Sequence, residues 1–116
     1  MKKQVEFSIS LKELEGIIGA MEFWISGKAD YDWAIPIWGQ KHVENSITYL
    51  KTYLSEEISQ ITLIFSKQDI WDEFTGILFE IQSHCDNLPE KYWFIENMIY
   101  DRIFLLEERG ELPENW

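Results

Sequence analysis

The sequence predicts a mainly α-helical fold: a single-domain bundle of four or five helices, with a short strand at the N-terminus. Three observations predict it. The length of 116 residues suits one hydrophobic core and is too short for two. Apolar residues recur three or four apart along most of the chain. Residues that start and stop helices stand at the ends of those stretches. With 6 Trp, 5 Tyr and 7 Phe, the chain is far too aromatic for a disordered segment. One domain covering residues 1–116 is expected.

Val5, Phe7 and Ile9 alternate with Glu6, Ser8 and Ser10, the period of an extended segment or strand. Ser10 and Glu13 then fit a capping box, in which hydroxyl and carboxylate satisfy each other's free backbone donors. Leu11, Leu14, Ile17, Ile18, Met21 and Ile25 follow at helical spacing, so the first helix should run from about Leu11 to Ile25 and stop near Gly27. Residues 26–39 break the pattern with Gly27, Pro36 and Gly39, and a connection of that length inside a small domain points to function.

From Val43 the positions Val43, Ile47, Leu50, Leu54, Ile58, Ile61 and Phe65 hold one helical face. Ser55, Glu56 and Glu57 allow a break there. A rival reading makes Ile61–Phe65 a strand that pairs with Val5–Ile9; the unbroken helical phase favours the helix. The next helix carries Ile70, Phe74, Ile77, Leu78, Ile81 and Cys85 on one side, with Asp72, Glu73, Gly76 and Gln82 opposite. Pro89 suits the first turn of the last helix. That helix has the widest apolar face, from Trp93 to Leu106, and is expected at the centre of the bundle. Gly110, Leu112 and Pro113 match a Schellman stop.

Charge narrows the function. The net charge is −11, from 21 acids against 10 Lys and Arg. Residues 1–28 are neutral, so all of it lies in residues 29–116. Such a balance disfavours direct contact with nucleic acid or an anionic membrane and favours steering toward a basic partner. No apolar run approaches the length of a membrane span, and no leader-like segment follows Met1–Gln4. The lone cysteine, Cys85, excludes an internal disulfide and fits a reducing compartment. A cytoplasmic, soluble protein is expected.

Signatures of chemistry are weak. His42 and His84 lack metal-ligand spacing, and His84, Cys85 and Asp86 would fan apart by about 100° per residue on a helix. Cys85 falls on an apolar stripe, where cysteine packs as a small hydrophobe. Ser55, Ser59 and Ser66 have no nucleophile-elbow pattern, and Gly16 and Gly19 form no phosphate loop. Neither an enzyme nor a cofactor or metal is expected.

Acids interleaved with aromatics are the stronger signal. They occur at Lys28–Trp33, with Asp30, Tyr31, Asp32 and Trp33; at Asp69–Glu73, with Trp71, Asp72 and Glu73; and in the tail from Glu107 to Trp116. Asp and Glu meet Lys or Arg, while Tyr and Trp give large contact area at low entropic cost. Each cluster also has an ordinary account: Trp33 and Trp38 roofing the core, Trp71 packing at its rim, acids favouring helix dipoles.

In length, acidity, aromatic–acidic surface clusters and want of an enzyme motif, the chain resembles the small acidic bacterial immunity proteins of contact-dependent inhibition, colicin-type and polymorphic toxin systems. The resemblance implies a tight stoichiometric complex with a basic toxin domain, a nuclease before other activities. Asp30, Asp32, Asp72 and Glu73 would take the places of phosphates in its cleft, with Tyr31, Trp33 or Trp71 as anchors. Three alternatives remain: a homo-oligomeric scaffold, a DNA mimic directed at a host DNA-binding protein, and a metal-dependent enzyme built on His42 and His84.

Overall fold

The alternation at the N-terminus forms strand β1 (Val5–Ser10), and the computed structural model describes residues 4–30, 38–54 and 59–113. Val5, Phe7 and Ile9 point into the core while Glu6 and Ser8 face out. Such a strand needs a partner for its backbone groups. It finds one in β2 (Gln60–Phe65), paired antiparallel with Val5 opposite Phe65 and Ser10 opposite Gln60.

That pairing corrects the helix expected from Val43 to Phe65. Helix α2 (Gln40–Lys51) buries Val43, Ile47 and Leu50 and then ends. Ile61, Leu63 and Phe65 are buried instead as alternate residues of a strand. Ile61 and Phe65 satisfy both periods, so the unbroken phase could not discriminate. Leu63 could have, since it lies off the helical face yet is fully buried. A run rich in β-branched and aromatic residues pairs readily with β1, which otherwise has no ladder. Residues 55–57, where a break was allowed, lie outside the described residues.

Ser10 closes β1 and caps helix α1 (Leu11–Trp24). The capping box forms as expected: the Glu13 amide donates to Ser10 Oγ at 3.0 Å, and the Ser10 amide donates to Glu13 Oε1 at 2.9 Å. Helix α3 (Gln68–His84) follows β2. A one-turn 3₁₀ segment (Glu90–Tyr92) then leads into α4 (Phe94–Met98), a π-helical turn (Ile99–Ile103) and α5 (Phe104–Glu108). The Schellman stop is present. The amides of Gly110 and Glu111 donate to the carbonyls of Glu107 at 3.1 Å and Leu106 at 2.9 Å, and Gly110 has a φ of +65°.

The central helix is α3, which contacts α1, α2, α4, the π turn and β2. The last helix was expected there, on the width of its apolar face. That width is divided. Ile95, Met98, Ile99 and Ile103 go inward, whereas Trp93, Tyr100 and Phe104 are exposed. Below α3 the sheet contributes a ring cluster, in which Phe65 stacks on Phe74 at 4.9 Å between centroids. Trp71 meets Phe65 edge-on at 5.1 Å and Phe7 at 6.2 Å. The architecture is mostly helical, with one two-stranded antiparallel sheet. No helix among the described residues is long and apolar enough to cross a membrane.

Candidate functional site

One face of α3 lies off the core. Gln68, Asp72, Thr75, Gly76 and Phe79 are spaced three or four apart, so they form a stripe along that face. Across from it, Ile99, Ile103, Phe104 and Glu107 come from the π turn and α5. Leu112 and Pro113, beyond the Schellman stop, line the same space. Together they enclose a groove of about 430 Å³. Apolar groups form its floor, and its exposed aromatics are Phe79 and Phe104, 44% and 38% accessible. Tyr100 stands beside Phe104, its ring edge-on at 5.4 Å. Among the described residues, the charged side chains that line the groove are Asp72 and Glu107, both acids.

Asp72 is held above its ordinary pKa, first by partial burial and second by the like charge of Asp69 one turn earlier. A larger hollow, about 570 Å³, lies between α1 and the 3₁₀ segment, but there Lys12 and Lys91 offset Glu13 and Glu15. Local charge sets the two apart.

Gly76 has a packing role within the stripe. A Cβ at this position would run into the Trp38 indole, so only glycine admits that ring against α3. The Trp38 amide donates to the buried Glu80 carboxylate at 3.2 Å. Trp38 thus roofs part of the core, as one expectation had it.

The residues singled out by sequence are scattered. Asp72 lies on the groove and is exposed. Glu73, one position on, points to α2: Ser46 Oγ donates to it at 3.1 Å, and His42 Nδ1 is 3.4 Å away. Trp71 is 5% accessible and belongs to the ring cluster, so its indole supports the groove from below and is not presented as a surface anchor. The aromatic–acidic spacing that singled it out also fits a core residue between two surface acids.

Asp30 is exposed at the far end of α3. Its amide donates to Asn87 Oδ1 at 2.8 Å and its carbonyl accepts from the Asp86 amide at 2.8 Å. At 1.5 Å per residue, the length of α3 separates Asp30 from Asp72 by roughly 20 Å. Asp30 and Asp72 therefore lie at separate places on the surface. Tyr31, Asp32 and Trp33 lie outside the described residues, as does the end of the tail cluster.

Comparison with family models, curated proteins and solved structures finds no match. The geometry stands alone. Phe79 and Tyr100 are the residues that sequence reasoning missed, and Phe104 was assigned to a buried face. A signal existed for Phe79, which continues the Asp72–Gly76 spacing on the polar side of α3. Among the described residues, no group of three or more His, Cys, Asp or Glu could hold a metal ion. Cys85 is partly buried and its thiol is pushed up, mainly by burial, away from the range of a reactive thiolate.

Proposed function

We propose that this chain is a stoichiometric protein inhibitor of the immunity type, which binds and neutralises a basic toxin domain, a nuclease before other activities. The observation that carries this reading is the groove on α3, whose charged lining among the described residues is acidic and stands beside exposed aromatic rings. The net charge of −11 acts in the same direction at long range, by steering a basic domain toward the chain. A carboxylate desolvated against Lys or Arg in such an interface couples by about 1.5–7 kcal/mol, so a few pairs with an aromatic anchor support tight binding.

Both sheet edges bear on how the partner is met. On β2, Ile64 donates its amide to Tyr53 Oη at 3.1 Å and accepts at its carbonyl from Tyr49; the two hydroxyls are 2.9 Å apart. On β1, Arg102 donates to the Ser8 carbonyl at 2.7 Å. Edges blunted in this way are poor templates for strand addition, which leaves the helical face.

The test is affinity capture on the immobilised chain, with release by a salt step, followed by a nuclease assay of the released protein. One basic protein retained in equal amount, whose nucleic-acid cleavage stops when the chain is added back, is the expected result. A retained protein whose activity is unaffected would refute the inhibitor reading.

A further inference from the structure

We infer that the α3–α5 groove receives a cationic segment of the protein partner that inserts an apolar side chain between Phe79 and Phe104 and sets Lys or Arg against Asp72 and Glu107. This rests on the reading of the chain as a binder of a basic protein and names what part of that protein is held.

The argument is one of complementarity. The floor of the groove is apolar, supplied by Ile99, Ile103 and the edge of Trp71, all buried themselves. A partner offering only Lys and Arg, as a phosphate-binding cleft does, would satisfy the rim and leave that floor wet. A purely apolar partner would desolvate two carboxylates without compensation, which is costly. A segment carrying both meets each group. The raised Asp72 pKa agrees, since a cation set against the carboxylate offsets first its partial burial and second the like charge of Asp69.

Charge also decides against a second copy of this chain. A two-fold contact places the same patch against itself, so the acids Asp72 and Glu107 would be set against a patch of the same sign between chains of net charge −11. The groove follows α3 from Gln68 to Phe79, about 17 Å at helical rise, room for some three turns of helix or a short extended stretch.

The probes are three short amphipathic peptides of equal length, built from Leu and Lys, from Ser and Lys, and from Leu and Glu. Each is titrated into the intact ¹⁵N-labelled chain while amide shifts are followed. The Leu–Lys peptide should move amides in Gln68–Phe79 and Ile99–Glu107. The Ser–Lys peptide should bind roughly tenfold more weakly or worse, having lost its anchor. The Leu–Glu peptide should not bind. Phe79→Ser and Asp72→Asn, both at exposed positions, should each weaken the Leu–Lys complex with an unchanged circular dichroism spectrum.

Equal binding of the Ser–Lys peptide, shifts mapping elsewhere, or self-association of the free chain through this face would overturn the inference. Its failure is distinguishable from failure of the inhibitor reading. A toxin domain inhibited equally by the wild type and Phe79→Ser defeats the groove and spares the inhibitor. Peptide docking as described, with no captured nuclease inhibited, does the reverse.

Discussion

At the corner where β1 meets α1, Glu13 and Arg102 pair with each other and with backbone groups. Along the α3–α5 groove, Asp72 and Glu107 meet no basic side chain among the described residues that line it. Arg102, carried inward by the π turn, donates to Glu13 Oε2 and to the Ser8 carbonyl, each at 2.7 Å, and lies over the Phe7 ring at 5.2 Å. Glu13 also closes the capping box on Ser10. One guanidinium thereby ties the last helix to the first strand and the first helix. In the groove, Asp72 has a like-charged neighbour, and Phe79 and Phe104 keep much of their surface in water. Acids and aromatics are thus used twice, once to hold the fold and once to face outward, and the difference lies in which partners are already present.

Substitutions can break that contrast from either side. The largest effect is expected at Trp71, on the buried side of the groove wall. Trp71→Ala removes a ring packed against Phe7, Phe65 and Phe74 and should cost about 3–5 kcal/mol, read as a fall in the denaturant midpoint. Next comes Arg102→Ala, which loses two charge-assisted hydrogen bonds and the ring contact at a partly exposed site, about 2 kcal/mol in the same measurement.

The pH dependence sharpens the same corner. Burial pushes the Glu13 carboxyl up, but the Ser10 amide, Arg102 and the Ser10 hydroxyl together outweigh it and hold the group below its ordinary value of 4.5. A carboxyl depressed on folding stabilises the fold above its unfolded pKa, and that stabilisation is lost as pH falls below about 4.5 through the lowered folded value. Glu13→Gln should therefore flatten the acid limb of the stability profile relative to the wild type, as measured by urea unfolding at successive pH values.

Smaller again is the sheet edge. Tyr53→Phe leaves the Ile64 amide without its hydroxyl acceptor and should cost about 1 kcal/mol, with faster exchange of that amide. Smallest is Phe79→Ser, at an exposed position, with a stability change within about 0.5 kcal/mol. A large loss there would assign Phe79 to the core and erase the contrast.

Much of the fold was legible because local signals and tertiary packing agree. The Ser10–Glu13 box, the α1 stripe and the Gly110 stop each depend on residues within one turn of one another. The second strand was not legible from phase, because Ile61 and Phe65 fit both periods, and the need of β1 for a ladder decided between them. The site was less legible. Trp71 and Phe79 stand on the same helix among the same acids, and whether each ring faces the sheet or the solvent depends on how α3 seats on β2 and α5. Nor does the sequence show that Asp30 and Asp72 are separated by the length of α3, or that Glu73 is taken up by Ser46 and His42.

The most direct test of the central claim, that the α3–α5 face is the outward-directed surface, is an amide hydrogen-exchange footprint with and without the captured basic protein. Protection concentrated in Gln68–Phe79 and Ile99–Glu107 is the predicted result. Protection confined to the opposite end of α3, around residues 28–30 and 86–87, would contradict it.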